Sequence, residues 1–114
     1  MQKTGHFYFG LTSRYKKLTN SILSYKIETI MPHNLIGKTI LITGGTGSWG
    51  QELTRQLLAN HKPKTIRIYS RGEHKQVEMK RAFSDPRVSF IIGDVRDKSR
   101  LAMTMRGVDT VFHL

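Results

Sequence analysis

The sequence predicts an α/β protein built on a doubly wound, mainly parallel sheet. Two observations carry that reading. Short apolar, β-branched runs alternate with polar stretches of helical period, and a glycine cluster stands between the first such run and the first such stretch. The implied order is β-α-β-α-β-α-β, with right-handed crossovers and the four strands arranged 3-2-1-4.

Thr39–Thr43 (TILIT) is a continuous β-branched run, the pattern of a strand buried on both faces. Ser48–Asn60 sets Trp49, Leu53, Leu57 and Leu58 along one side of a helix, with Asn60 and Pro63 as its stop. Ile66–Tyr69 (IRIY) is the second strand. A second helix runs from about Glu73 to Phe83; Val77, Phe83 and the stem of Arg81 are expected to meet the sheet, and the Asp85-Pro86 turn ends it. Val88–Ile92 (VSFII) is the third strand, closed by Gly93-Asp94. Asp97 is placed to cap a short helix bearing Leu101 and Met105, and Gly107 stops it. Thr110–Leu114 (TVFHL) begins a fourth strand.

Residues 1–34 read differently. Residues 1–30 hold five basic residues, Lys3, Arg14, Lys16, Lys17 and Lys26, against the single acid Glu28. Tyr15, Leu18, Ile22 and Tyr25 lie at helical spacing. The expectation is an N-terminal extension, unstructured or weakly helical, followed by a partial nucleotide-binding domain over 35–114. Met31 is an alternative start, and a basic, acid-poor transit segment is the rival reading of the extension. No apolar core of signal-peptide length follows the basic residues.

The chain has 114 residues, 19 Lys and Arg against 8 Asp and Glu, and a net charge of +11. An anionic partner is therefore in question. Zero cysteines exclude disulfides and thiolate metal sites, and no pair of His has helical metal-ligand spacing, so no metal site is expected. No apolar run has transmembrane length, and no membrane partner is expected. Lys and Arg are spread over loops and helices rather than clustered on a nucleic-acid-binding element, so no nucleic acid is expected either.

The informative motif is Thr43-Gly44-Gly45-Thr46-Gly47-Ser48-Trp49-Gly50. Gly45, Gly47 and Gly50 have G-x-G-x-x-G spacing, and Gly44, Gly47 and Gly50 have the related three-apart spacing. The position after a strand and at the opening of a helix makes the motif specific for a dinucleotide. One glycine permits the turn, one lets the backbone approach a pyrophosphate, and one lets helix and strand pack closely. Backbone N–H groups and the helix dipole then face the phosphates. A mononucleotide loop fails at Gln51-Glu52, where Lys and Ser/Thr would be needed.

The end of the second strand chooses the dinucleotide. An NAD site places a carboxylate there for the ribose 2′-hydroxyl, whereas an NADP site supplies a cation for the 2′-phosphate. Tyr69-Ser70-Arg71, with Lys75 one turn on, offers a hydroxyl and two cations. The expected cofactor is NADP. Asp94-Val95, at the carboxyl edge of the sheet, are candidates beside the adenine; Asp94 is equally suited to a turn.

TILITGGTGSWG, IYSRGEHKQ, DPRVSFIIGDVRDKSRL and GVDTVFHL together resemble the amino-terminal part of the extended short-chain dehydrogenase/reductase superfamily. More narrowly, they resemble the inverting UDP-N-acetylglucosamine 4,6-dehydratases and their polysaccharide-biosynthesis relatives. The resemblance covers about residues 35–114 and implies a Rossmann-type NAD(P)-binding domain. It assigns Thr46, Gly47, Ser48 and Trp49 to the pyrophosphate loop, with Trp49 where Phe is usual. It assigns Ser70 through Lys75 to the 2′-phosphate, with Gly72 and His74 departing from the usual Asp and Leu, and Asp94 and Val95 to the adenine. Leu114 stands where the family has Ala. The implied enzyme is a cytoplasmic homo-oligomeric lyase that dehydrates UDP-N-acetylglucosamine with inversion, for pseudaminic acid or other surface polysaccharides. The family's Tyr-x-x-x-Lys pair has no match, since Tyr8, Tyr15, Tyr25 and Tyr69 are followed four residues later by Thr12, Thr19, Thr29 and Glu73. No catalytic residue is therefore assigned. The expectation is a truncated copy keeping the cofactor half, with a non-catalytic NADP-binding module or another UDP-sugar dehydratase or epimerase as alternatives. A sheet ending at the fourth strand would leave an apolar edge prone to self-association.

Overall fold

The computed structural model describes His6–Tyr8 and residues 34–114. Its strands are β1 (His6–Tyr8), β2 (Thr39–Thr43), β3 (Thr65–Ser70), β4 (Val88–Ile92) and β5 (Thr110–His113). The helices are α1 (Ser48–Asn60), α2 (Glu73–Phe83) and α3 (Lys98–Thr104). The strands form one parallel sheet in the order β1-β5-β2-β3-β4. Four of them reproduce the expected 3-2-1-4 arrangement.

Central β2 is buried at every position, as its β-branched run requires. Alternation along the strands divides the core in two. Ile40, Ile42, Ile66, Ile68 and Phe112 pack with Trp49, Leu53 and Leu57 of α1 and Met79 of α2. Leu41, Tyr69 and Val111 face the other way, where Leu101 of α3, Met105 and Val108 cover them. Two helices thus lie on one face and α3 on the other, because the crossover from β4 to β5 runs back across the sheet. Arg67 of β3 ties that last crossover down, with its Nη1 donating to the carbonyls of Thr104 and Arg106 at 2.7 Å each. Asp97 caps α3 as expected, its side chain accepting from the Arg100 N–H.

Two expectations need correction. The extension is not wholly outside the fold, because His6, Phe7 and Tyr8 pair in parallel with Thr110, Val111 and Phe112. The β5 edge that the four-strand reading left bare is therefore covered by the chain's own β1. Three residues are too short a run to announce a strand, and the pairing is non-local. The expected helical face of Tyr15, Leu18, Ile22 and Tyr25 lies outside the described residues. On α2 the buried positions are Gln76 and Met79, with Phe83 half-buried, whereas Val77 and Arg81 are exposed. The apolar rule points to Val77; the helix instead turns Gln76 inward, where its Nε2 donates to Ser70 Oγ and the Ile91 carbonyl.

Candidate functional site: a glycine loop facing a cationic strand end

The carboxyl ends of β2, β3, β4 and β5 open on one cavity of about 910 Å³. Its wall includes Gly44 and Thr46 from the loop after β2, Ser70, Arg71 and Lys75 from the β3–α2 junction, and Asp94 and Val95 after β4. Seven of the twelve residues chosen from the sequence thus share one concavity. Gly45, Gly47, Ser48, Trp49 and Gly50 are not in its wall and form the adjoining turn into α1.

That turn has distinct reasons for its glycines. Gly44 has φ +66°, a left-handed conformation, and a Cβ there would stand 2.9 Å from the Leu114 carbonyl oxygen. At Gly50 a Cβ would lie 2.1 Å from the Gly45 carbonyl oxygen, so the helix rests directly on the loop backbone. Gly47 differs. Its φ of −80° and ψ of −177° suit any residue, and a Cβ would meet only the Gly44 carbonyl oxygen, at 4.0 Å. Nothing in the described protein requires glycine at 47.

Gly47 caps α1 without a side-chain hydrogen bond, and the first turn contains no acid. The leading N–H groups of the helix have no acceptor within the helix, and their positive end is not offset by a carboxylate. Gln51 steadies the loop by donating from Nε2 to the Thr46 carbonyl at 2.8 Å. The sequence motif places Trp49 in the phosphate loop, yet its indole is buried in the core beside Leu53 and Leu57. What it can offer a phosphate is its backbone N–H.

Across the cavity Arg71 is 74% exposed, and its Nη1 lies 3.8 Å from Asp94 Oδ2. Arg96 holds Asp94 more firmly, through Nη2 to Oδ2 at 2.8 Å, Nε to Oδ1 at 3.1 Å and its backbone N–H to Oδ1 at 2.8 Å. These hydrogen bonds, with a smaller contribution from Arg71, hold the Asp94 carboxyl well below the usual carboxylate range. The charge of Asp94 is thus largely answered, and Arg71 remains available to an anion. Val95, 43% exposed, presents an apolar surface at the cavity.

Sequence reasoning did not select Tyr69, Arg96 or Gln76, whereas His113, the one histidine that the sequence sets near the site, does line the cavity. Tyr69 is buried, and its hydroxyl donates to the Asp94 carbonyl at 2.8 Å, fixing the exit of β4. Burial pushes that hydroxyl's pKa up, with Asp97 adding to the effect. His113 shares a 2.7 Å hydrogen bond, Nδ1 to Thr43 Oγ1, at the ends of the paired strands β5 and β2. Among the described residues no group of three or more His, Asp or Glu could hold a metal, and no helix is long and apolar enough to cross a membrane.

Fold and cavity together define a doubly wound α/β domain of the dinucleotide-binding kind, with its loop at the carboxyl ends of the strands. Residues 40–114 match the family described as polysaccharide biosynthesis protein, and the chain belongs to that family. It is 57% identical over 77 residues to a UDP-N-acetylglucosamine 4,6-dehydratase (inverting) of Campylobacter jejuni, covering 68% of this chain and 23% of that protein. It is 47% identical over 81 residues to a UDP-glucose 4-epimerase of Rickettsia bellii, covering 68% of this chain and 24% of that one. The chain therefore spans about a quarter of the length of these relatives. Among solved structures, Pen from Bacillus thuringiensis superposes with a TM-score of 0.67 at 36% identity, over 70% of this chain and 24% of that one. A short-chain dehydrogenase/reductase from Veillonella parvula in complex with NADP gives 0.56 at 27% identity, over 67% and 34%.

Proposed function

We propose that this chain is the NADP-binding amino-terminal part of a UDP-sugar 4,6-dehydratase of the inverting type. UDP-N-acetylglucosamine is the proposed substrate of the whole enzyme, a homo-oligomer whose product enters surface polysaccharide, pseudaminic acid included. The observation that carries the cofactor reading is one cavity walled by Gly44 and Thr46 of the glycine loop on one side and by Ser70, Arg71 and Lys75 on the other. The higher identity to the dehydratase than to the epimerase, 57% against 47%, supports the reaction class.

The residues present fit the cofactor. Gly47 leaves room over the α1 terminus, whose N–H groups would hold the pyrophosphate. Ser70, Arg71 and Lys75 would hold the 2′-phosphate, Arg71 with a planar fork of donors. Asp94 and Val95 would border the adenine. NADP when bound supplies hydride transfer; this part of the chain supplies position and charge. No Tyr among the 114 residues has Lys four positions later, so the acid/base pair known from such enzymes is not assigned here.

Titrating NADP and NAD against the purified chain tests the reading. NADP is expected to bind at least roughly tenfold more tightly, as one or two charge-assisted hydrogen bonds allow, and Arg71→Ala to remove most of that margin. Equal or undetectable binding of both dinucleotides would overturn it.

A further inference from the structure

We infer that Gln76 is a positioning residue for dinucleotide selection: it holds the Ser70 hydroxyl so that its proton is presented to the cavity, where a 2′-phosphate would accept it. The inference rests on the NADP reading above and adds to it a residue that does not touch the cofactor.

Gln76 lies in the first turns of α2 and is only 4% exposed. Its Nε2 donates to the Ile91 carbonyl at 2.9 Å and to Ser70 Oγ at 2.9 Å, with the Ser70 carbonyl a longer third contact at 3.3 Å. Two of those three oxygens are carbonyls, which only accept, so the amide nitrogen and not its oxygen must face them. The amide has two hydrogens, and the two shorter contacts use both. Ser70 Oγ is thereby an acceptor toward Gln76, and its own hydrogen must point elsewhere. Ser70 lines the cavity next to Arg71 and Lys75, whereas Gln76 lies behind it and is not part of the wall. The remaining direction for the hydroxyl is the cavity, beside the two cations.

The same amide joins three elements at the rim. Gln76 belongs to α2, Ser70 ends β3, and Ile91 is in β4. The Ser70 carbonyl also accepts from the Gly93 N–H at 2.9 Å, so β3 and β4 stay in step to their ends. A leucine at 76 would fill the space while removing the donor. Without that donor nothing behind Ser70 fixes its hydroxyl as an acceptor, and its hydrogen is no longer held toward the cavity. A serine hydroxyl is a free rotor, and its direction is set by the fixed donor behind it.

Four proteins decide the matter: the full 114-residue chain, Gln76→Leu, Ser70→Ala and the double variant, each titrated with NADP and NAD. Gln76→Leu is expected to weaken NADP by roughly tenfold and to leave NAD within about twofold, the size expected for one hydrogen bond to a charged group. Because Gln76 acts through Ser70, the double variant should be no weaker toward NADP than Ser70→Ala alone. Equal weakening of both dinucleotides, or effects of the two substitutions that multiply, would overturn the assignment. If Gln76→Leu does not fold, the unsubstituted chain still decides it. The Gln76 side-chain amide resonances should shift on adding NADP and stay in place on adding NAD; shifts equal for both, or absent for both, would overturn it. Failure of the cofactor reading is distinguishable, since the unsubstituted chain would then show no preference for NADP.

Discussion

Gly47, the cap of α1, and Gly50, in its first turn, stand three residues apart, yet the structure gives their glycines opposite reasons, and alanine at each separates them. At Gly50 the added Cβ would fall 2.1 Å from the Gly45 carbonyl oxygen, 2.3 Å from its carbonyl carbon and 2.4 Å from its Cα. All three atoms are backbone, so no side chain can swing aside, and α1 must lift by more than 1 Å on the order of ordinary contact distances. Overpacking of that kind costs about 1–3 kcal/mol or more. For a domain of this size each kcal/mol lowers Tm by roughly 4–8 °C, so Gly50→Ala should melt about 4–24 °C below the parent chain. At Gly47 the Cβ finds open space and an ordinary backbone conformation. Alanine is a poorer helix cap than glycine by under about 1 kcal/mol. The lost freedom of the unfolded chain returns about 0.4–1 kcal/mol. Gly47→Ala should therefore melt within about 3 °C of the parent, while its methyl obstructs the path of a pyrophosphate over the helix terminus. Calorimetry and NADP titration on both variants check this. A Gly47→Ala chain that binds NADP as the parent does would refute the assignment of that glycine to the ligand; a Gly50→Ala chain with an unchanged Tm would refute the packing argument.

Asp94 has a folded-state pKa depressed by Arg96, so its stabilising contribution is complete above the unfolded aspartate value of about 3.9 and is lost only as the pH falls toward the lower folded value. The Asp94 carboxyl carbon followed by NMR should titrate well below an ordinary aspartate, and Arg96→Gln should bring it back up; a midpoint near 4 with Arg96 intact would contradict the arrangement. Opening the β5 edge should cause association. In a Phe7→Pro/Tyr8→Pro double variant one of the two lost N–H groups faces β5, since successive residues alternate. Sedimentation should then show larger species than the parent chain does, and an unchanged profile would mean that β1 does not protect the edge.

Much of the fold is written in local patterns. Thr39–Thr43, Glu73–Phe83 and Val88–Ile92 occupy the spans that their apolar runs and turn residues indicate, because each element's ends coincide with a glycine, a proline or a polar cap. Ser84 takes the left-handed conformation, φ 47°, immediately before the Asp85-Pro86 turn that stops α2. What local pattern misses is non-local. The pairing of His6–Tyr8 with β5 joins residues about a hundred positions apart, and nothing in three residues specifies it. Gln76 is missed for another reason. A polar residue counts as surface until its partners are known, and here the partners are Ser70 and Ile91, from two strands. The candidate site follows the same division. The glycines and Ser70-Arg71 are contiguous and legible, whereas the contribution of Arg96 depends on the turn that folds it back onto Asp94.

That turn bears on how one cavity can hold a carboxylate and still favour an anion. A carboxylate placed at the end of β3 would repel a 2′-phosphate and accept from a ribose hydroxyl instead. Here the end of β3 is Ser70, and the carboxylate belongs to Asp94, one strand over, at the exit of β4. Its two oxygens are occupied by the guanidinium and backbone of Arg96, and Tyr69 fixes the backbone on which it stands. Arg71 pairs with the same carboxylate at 3.8 Å, too far for a hydrogen bond, so its N–H donors are not spent on Asp94. Position and pairing together set the charge along the wall: Asp94 is held mainly by Arg96, and the exposed Arg71, only loosely paired with Asp94, lies with Lys75 beside the serine hydroxyl to which Gln76 donates.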